Sequence, residues 1–271
     1  MSLVRAYAFA SGSSGNAVLV QTERTNVLID AGLSVRTLAG HLKRCGVGMA
    51  DLDGILLTHE HSDHSVGAGP LSRRTGAPII ATVGTLTAYA EREELPFSAQ
   101  ELAVGDALTV GDIAVRAFSV PHDAADPVGF VLETSGQQIT YFTDAGSVTP
   151  EMRAALRHAT FAIVEANHDL DWLWKGSYTP EMKARVASPT GHLSNLDCAD
   201  LLAERLEEGG SLCVWLAHLS RANNSPALAR RSVLERIAQQ TRTPVALEIA
   251  LRDHPSVSWK AGSRAVQLSL L

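Results

Sequence analysis

The segment Thr58-His59-Glu60-His61-Ser62-Asp63-His64 constrains this chain more than any other stretch. Three imidazoles and two carboxylates in so few positions form a donor set suited to zinc, iron or manganese. The segment follows a short apolar run, residues 54–57, so it reads as the loop leaving a buried strand. A compact loop can turn alternate side chains to one metal ion and the next pair to another. Its donors His59, His61, Asp63 and His64 cannot close two sites by themselves. Further ligands must arrive from later strand ends, so the fold has to gather several of those ends at one edge of a sheet.

Three residues meet that demand. His122 follows a strand ending at Val120, Asp144 follows the run 139–142, and His218 follows the run 212–217. Taken singly, each would be a turn residue or a hydrogen-bonded cap. Other short runs rich in Val, Ile and Leu occur at 4–9, 17–20, 26–29, 78–81, 113–118, 128–132, 159–164 and 245–250, and read as buried strands. Ser34 precedes an apolar stripe of Val35, Leu38, Ala39, Leu42 and Cys45 at helical spacing. Thr149-Pro150, Thr179-Pro180 and Ser225-Pro226 each place a cap before a proline at the first helical position. Ser194 precedes a second stripe, Leu196, Ala199, Leu202, Ala203 and Leu206. The first half is dense in strands with few helices, the second half mixes both, and no internal repeat stands out. Two mixed sheets packed together with helices outside fit this order better than a doubly wound sheet.

The 271 residues, 45% of them hydrophobic, can form one large α/β domain spanning 1–271. No apolar run approaches the ~18 residues of a membrane helix, and the N-terminus shows no signal-peptide pattern. Cys45, Cys198 and Cys213 are scattered and form no CxxC pair, so a reduced, cytoplasmic setting is expected. A net charge of −6 argues against an indiscriminately basic nucleic-acid binder, although bound divalent cations would offset much of it locally.

The His-x-His-x-Asp-His pattern at 59–64, Asp30 in Leu28-Ile29-Asp30-Ala31-Gly32, and then His122, Asp144 and His218 in order resemble the metallo-β-lactamase superfamily of hydrolases. The resemblance implies an αββα four-layer sandwich of two mixed sheets and a dinuclear site. It implies that His59, His61 and His122 hold one ion, that Asp63, His64 and His218 hold the other, and that Asp144 bridges them. Asp30 would stand behind a ligand and orient it. The ions would be Zn2+ or Mn2+, with Fe2+ also compatible.

Five further segments narrow the resemblance to the YycJ/WalJ group of bacterial proteins, regarded as DNA exonucleases acting 5′ to 3′. They are 11–16 (Ser-Gly-Ser-Ser-Gly-Asn), 121–124, 165–169 (Glu-Ala-Asn-His-Asp), 191–195 (Gly-His-Leu-Ser-Asn) and 218–220. Glu165 and His192 are also similar to a pair in tRNA 3′-processing endonucleases that cooperates in protonating the leaving group; Leu193 and Ser194 stand here where those enzymes have Ser and Thr. The stretch from Asp144 to His218 is too short for the inserted β-CASP domain of larger nucleases. No glycine-rich tRNA-gripping arm is present, and His61 stands where non-hydrolytic diiron relatives carry Glu.

The expected function is a dinuclear-metal phosphodiesterase, a DNA exonuclease of repair or replication-linked processing. Asp63 would direct the attacking water, and His192, tuned by Glu165, would act as general acid. The alternatives are a small-molecule phosphodiesterase or a thioester or lactone hydrolase, and, in another class, a non-catalytic clamp-binding module. Several features have two readings. Glu165 and His192 are an acid pair or a structural hydrogen bond. The 11–16 loop is a phosphate cradle or a hairpin turn. His168 contacts phosphate or supports a ligand. Trp172, Trp174 and Lys175 stack and hold a nucleic-acid strand or cover the core. Asn223 and Asn224 contact phosphate or cap the next helix. Residues 267–271 (Gln-Leu-Ser-Leu-Leu) resemble the bacterial sliding-clamp-binding peptide, with Gln267, Leu268, Leu270 and Leu271 as contacts and Leu271 in place of the usual Phe; otherwise they form an edge strand. His41, His158 and His254 fall outside these motifs and read as surface residues.

Overall fold

The apolar runs become strands whose side chains alternate between two different cores. A computed structural model describes residues 3–96, 98–262 and the backbone of 266–267. The first sheet takes β1 (Arg5–Ala10), β2 (Ala17–Gln21), β3 (Asn26–Ile29), β4 (Gly54–Leu56), β5 (Ile79–Ala81) and β6 (Gln100–Glu101). The second takes β7 (Ala107–Val110), β8 (Ile113–Ser119), β9 (Val128–Thr134), β10 (Gln137–Phe142), β11 (Phe161–Glu165), β12 (Cys213–Ala217) and β13 (Ala246–Ile249). The chain returns to the first sheet with β14 (Val257–Lys260) and β15 (Val266–Gln267), giving the order β15-β14-β1-β2-β3-β4-β5-β6 opposite β13-β12-β11-β10-β9-β8-β7.

Val18, Val20, Val27, Ile29 and Leu56 of the first sheet and Phe130, Ile139, Tyr141, Ile163 and Trp215 of the second share one core between the sheets. Within it the Phe161 ring stacks on Trp259 at 4.5 Å and meets Trp215 edge-on at 4.7 Å. Leu19, Leu28, Ile55 and Leu57 point the other way, onto helices α1 (Val35–Arg44), α3 (Ala68–Thr75) and α4 (Val83–Ala90), which with the one-turn α2 (Ser62–Ser65) belong to the first half. Phe142, Ala162, Val164, Val214 and Leu216 point onto α5 (Pro150–Leu156), α8 (Asn195–Glu207) and α9 (Pro226–Gln240). Two short helices, α6 (Leu170–Lys175) and α7 (Pro180–Val186), lie between β11 and α8. The layers are therefore αββα, as expected.

Ser34, Thr149, Thr179, Ser194 and Ser225 all cap helices as their sequence signals predict. The expectation of few helices in the first half is corrected. α2 and α3 start without a side-chain cap, and α3 contains Gly69 and Pro70, so neither carries a readable start signal. The topology holds a repetition that the sequence does not display. Each sheet pairs consecutive strands antiparallel (β1-β2-β3; β8-β9-β10) and then parallel (β3-β4-β5; β10-β11-β12). At the matching strand ends stand Asp30-Ala31-Gly32 and Asp144-Ala145-Gly146.

Candidate metal centre

Strand ends β3, β4, β10, β11 and β12 deliver the chemistry to one edge of the sandwich. Among the described non-glycine residues, Asp30, Asp144 and His218 have φ of 58°, 57° and 54°; Ser135, in the β9–β10 turn, is the fourth such residue. Each left-handed residue costs roughly 1 kcal/mol or more, and such strain persists where surrounding structure over-determines it. Three strained residues at three strand ends mark the site independently of the histidine motif.

The strand-end glycines let the next loop come close. A Cβ on Gly32 would lie 1.6 Å from the Asp63 carbonyl oxygen, and one on Gly146 2.3 Å from Gly191 N. Asn16 N donates to the Asp63 carbonyl at 2.7 Å, and Gly32 N donates to the Asn16 carbonyl at 2.9 Å. Gly32→Ala should therefore push the 61–64 turn away, destabilise the fold by on the order of 2 kcal/mol or more, and lower metal content. Thermal unfolding and metal analysis check this; an unchanged melting temperature would contradict it.

Two fully buried carboxylates hold histidines from behind. Asp30 Oδ2 accepts from His64 Nδ1 at 2.8 Å and from Tyr141 Oη at 3.2 Å, across the two sheets. Asp30 Oδ1 accepts from Thr58 N and Oγ1, both at 2.9 Å. Glu165 Oε1 accepts from His218 Nδ1 at 2.9 Å and from His192 Nδ1 at 2.8 Å, while Oε2 accepts from Ala145 N at 2.9 Å and Leu193 N at 3.2 Å. His122 Nδ1 lies 3.2 Å from the Gly191 carbonyl and can donate to it. With Nδ1 of His64, His122 and His218 engaged, their Nε2 atoms are left to face inward, the arrangement that metal-binding imidazoles require.

Donor atoms group accordingly within 4.8 Å: His59 with His61 and His122; Asp63 with His64 and His218; and Asp144 both with His59 and His64 and with Glu165, His192 and His218. Asp144 Oδ2 lies 3.1 Å from His64 Nε2, and its Oδ1 lies 3.3 Å from His218 Nδ1 and 3.9 Å from His122 Nε2. The donor set fits metal ions on its own evidence. His59 Nε2, Asp144 Oδ2 and His218 Nε2 are buried and make no hydrogen bond, an expensive state for polar atoms unless an ion satisfies them.

The charges are set by proximity. Burial favours the neutral carboxyl of Asp144, but His218 and His64 outweigh it and hold its pKa well below the usual range. Asp63, against the same pull of burial, is held at about 2 by His218 and His64. Burial pushes His59 well below its ordinary value, with His64 adding to the effect, and lowers His122 as well. His218 is desolvated yet raised to about 10 by Asp144, Asp63 and Glu165. His64 is likewise buried and held well above its ordinary value by Asp30 and Asp144, although Asn16 Nδ2, a donor 2.9 Å from His64 Nε2, favours the neutral ring. In the metal-free protein, His59 and His122 are thus held neutral, whereas His64 and His218 favour their protonated forms.

The other sequence candidates divide. Glu60, part of the motif, turns away and accepts from Ala125 N at 3.1 Å, fixing the loop after His122. The 11–16 loop is a turn closed by Gly15 N to the Gly12 carbonyl, with Asn16 bonded to Gly12 in both directions. His168 is buried, with Nδ1 unpartnered. Asn224 corrects the expectation of a phosphate contact. Its amide donates to the Ala166 and Asn167 carbonyls and to Asn195 Oδ1, so the side chain is used inside the fold. Asn223 is fully buried as well. Trp172 and Trp174 are 46% and 55% exposed, whereas Leu173 between them is buried. Lys175 pairs with Asp171 at 2.7 Å. Leu268, Leu270 and Leu271 lie outside the described residues, and only the backbone of Gln267 is described, opposite Val257. His158 is exposed as expected, but His41 is half-buried against Phe9. Thr58 and Asn16 lie within the segments 58–64 and 11–16 but were given no role of their own there, and Tyr141 carries no sequence signal at all.

Residues 25–208 match the family model described as the beta-lactamase superfamily domain. The chain belongs to the β-lactamase superfamily. It is 37% identical to exodeoxyribonuclease YycJ of Bacillus anthracis, over 83% of this chain and 85% of the relative. It is 36% identical to exodeoxyribonuclease WalJ of Streptococcus pneumoniae serotype 2, over 85% and 87%. Among solved structures, the metallo-β-lactamase fold protein YhfI of Bacillus subtilis superposes with a TM-score of 0.69 at 15% identity, covering 96% of this chain and all of that one. The family, the fold and the buried His/Asp cluster make the chain a metal-dependent hydrolase. No described helix is long and apolar enough to cross a membrane.

Proposed function

We propose that the protein is a dinuclear-metal phosphodiesterase that degrades DNA from an end. The observation that carries this reading is the double engagement of Glu165 Oε1, 2.8 Å from His192 Nδ1 and 2.9 Å from His218 Nδ1. It couples a histidine of the metal cluster to one outside it, at the rim. Burial works against charge on His192, but Glu165 and Asp144 outweigh it and raise its pKa above the ordinary value. With Nδ1 held by Glu165, Nε2 is the atom that delivers the proton. A nucleotide 3′-oxygen leaving as an alkoxide needs that proton; a thiolate leaving from a thioester does not. The relatives named exodeoxyribonucleases support DNA as the phosphodiester.

His59, His61 and His122 would hold one ion, and Asp63, His64 and His218 the other, with Asp144 between them. When bound, the ions supply an activated water and neutralise phosphoryl charge. Asp63 accepts a hydrogen bond from the attacking water and directs it, Asp30 and Glu165 fix the rings of His64 and His218, and His192 protonates the leaving oxygen. Zn2+ and Mn2+ are the proposed ions, Fe2+ being compatible with the same donors. By the same reading digestion runs 5′ to 3′, in repair or replication-linked processing, in the cytoplasm. Single-turnover assay of metal-loaded protein on end-labelled DNA tests it. If DNA stays intact while a cyclic phosphodiester or a thioester is hydrolysed, the DNA reading is wrong.

Metal uptake carries its own signature. Below its pKa of about 10, His218 in the metal-free protein holds a proton that an ion must displace. Loading should release protons, and the affinity of the second ion should fall up to about tenfold per pH unit lowered, for each proton displaced. Calorimetry in two buffers of different ionisation enthalpy measures this; an exchange of zero protons would contradict it. For the tail, docking on a sliding clamp through Gln267, Leu268, Leu270 and Leu271 is proposed. Deleting 268–271, which spares the Gln267–Val257 pairing, should abolish clamp pull-down; unchanged capture would rule it out.

A further inference from the structure

Between the ends of β12 and β13 and the start of α9 lies an open cavity of ≈ 240 Å³. Leu219, Pro226, Ala250 and Leu251 form its apolar walls, and Arg221 and His254 also line it. An apolar cavity of about 150 Å³ already takes a benzene ring, so this one has room for one or two branched aliphatic side chains. Such an occupant is favoured, because it and the walls leave water together.

The chain itself carries a matching segment. β14 faces β11 and β12 across the core, where Trp259 stacks on Phe161 beside Trp215. The outermost strand of the first sheet, β15, therefore lies towards the outermost strand of the second, β13. Gln267 pairs with Val257 and Val266 with Ser258 in an antiparallel register. The residues after Gln267 are thus directed back along 256, 255 and 254, towards the cavity. At ~3.3 Å per residue, three residues carry the chain about 10 Å, level with His254 of the cavity wall. Those that follow Gln267 are Leu268, Ser269, Leu270 and Leu271, three leucines and no charge, which is the chemistry of the apolar walls.

The wall on that side is formed in advance. Leu251 N donates to Ser256 Oγ at 2.8 Å, Ser11 N to the Leu251 carbonyl at 3.0 Å, and Ser14 Oγ to Asp253 Oδ1 at 2.7 Å. A fixed seat spares an incoming segment the ordering of its receptor.

We propose that residues 268–271 fold back along the 254–256 segment and seat their leucines in this cavity of the same molecule. The same leucines are the proposed clamp contacts, so the two engagements exclude one another: the cavity holds the tail until a clamp takes it. The seat stands without the clamp reading, whereas the exclusion rests on it.

Cysteine pairs in the full chain test the seat. Leu270→Cys is combined with Pro226→Cys or Arg221→Cys on the wall, or with Gln239→Cys, about 20 Å further along α9. Pro226, Arg221 and Gln239 are all exposed, so the substitutions spare the core. A disulfide needs Cα atoms within about 7 Å of each other. Under mild oxidation a wall pair should close within one molecule faster than the Gln239 pair by roughly tenfold or more, since a seated tail holds its thiol at a high effective concentration. Adding Leu268→Asp should remove the advantage. Equal rates for the wall and control pairs overturn the proposal. Wall cross-links formed between molecules make the occupant a second copy's tail and overturn the assignment to the same molecule.

Clamp binding gives the second readout. Pro226→Glu puts a carboxylate on the wall yet suits the first turn of a helix. It should weaken the seat and tighten clamp binding by roughly threefold or more, because only a released tail is competent to bind. Equal clamp binding by wild type and Pro226→Glu overturns the exclusion. If neither binds a clamp, the clamp reading fails and the exclusion falls with it, while the cross-linking rates alone decide the seat.

Discussion

Asp144→Asn is expected to lower hydrolysis by on the order of a thousandfold, a loss of about 4 kcal/mol of transition-state stabilisation, and to reduce the metal content of the purified protein. Among the described residues, Asp144 is the one carboxylate that belongs to two donor groupings, one with His59 and His64 and one with Glu165, His192 and His218. Asn keeps the size and, like Asp, tolerates the left-handed conformation that position 144 demands at φ 57°. The fold should therefore survive, and the effect should be electrostatic. Asn cannot take a charge, so an ion placed beside it meets one anion fewer, and His64 and His218 lose a carboxylate that favours their protonated forms. Asp144→Ala should be worse, because Ala pays the left-handed strain without a polar side chain. Metal analysis, kcat/KM and the melting temperature are measured together. If the Asn variant keeps its full metal content and more than a tenth of the activity, Asp144 is not shared between two ions.

The contrast between what was and was not legible follows from distance along the chain. The 59–64 run declared itself because its donors are crowded into six residues, and the strands were readable because runs such as Ala17–Val20 and Phe161–Val164 are apolar at every position; that successive residues face two different cores only the fold reveals. The caps at Ser34, Thr149, Thr179, Ser194 and Ser225 depend on the next three residues alone, and all hold. Glu165 was legible as a partner of His192 but not of His218, because the second contact spans 53 residues and depends on where β12 ends beside β11. Asn224 stayed open between a phosphate contact and a helix cap for the same reason, and only the fold reveals Asn195 and the two carbonyls that occupy its amide. The left-handed backbone at Asp30, Asp144 and His218 has no local signal either, since none of the three is glycine.

His192→Ala is expected to lower turnover on DNA by about 10²–10⁴-fold, the usual range for a general acid, with both ions retained. His192 is not one of the proposed ligands, although its ring lies 5.4 Å from those of His122 and His218. It shares Glu165 Oε1 with His218, and it lies 3.5 Å from Asp144 Oδ1. Glu165→Gln should differ in kind. It removes the anion that holds His218 as well as His192, so metal affinity should fall by roughly 10–100-fold in addition to the rate. The pH profile separates the acid from a merely structural histidine. As the proposed general acid, His192 would act in its protonated form, and Glu165 holds its pKa above the ordinary value of 6.5. Activity should therefore be present below that raised pKa and decline as pH rises through it. The alkaline limb should disappear in His192→Ala and move to lower pH in Glu165→Gln. A substrate whose leaving group is an aryl oxide needs no proton, so the His192→Ala deficit should shrink towards unity on it. An equal deficit on DNA and on the aryl ester would make His192 a structural rim residue, held by Glu165 for the sake of His218 alone.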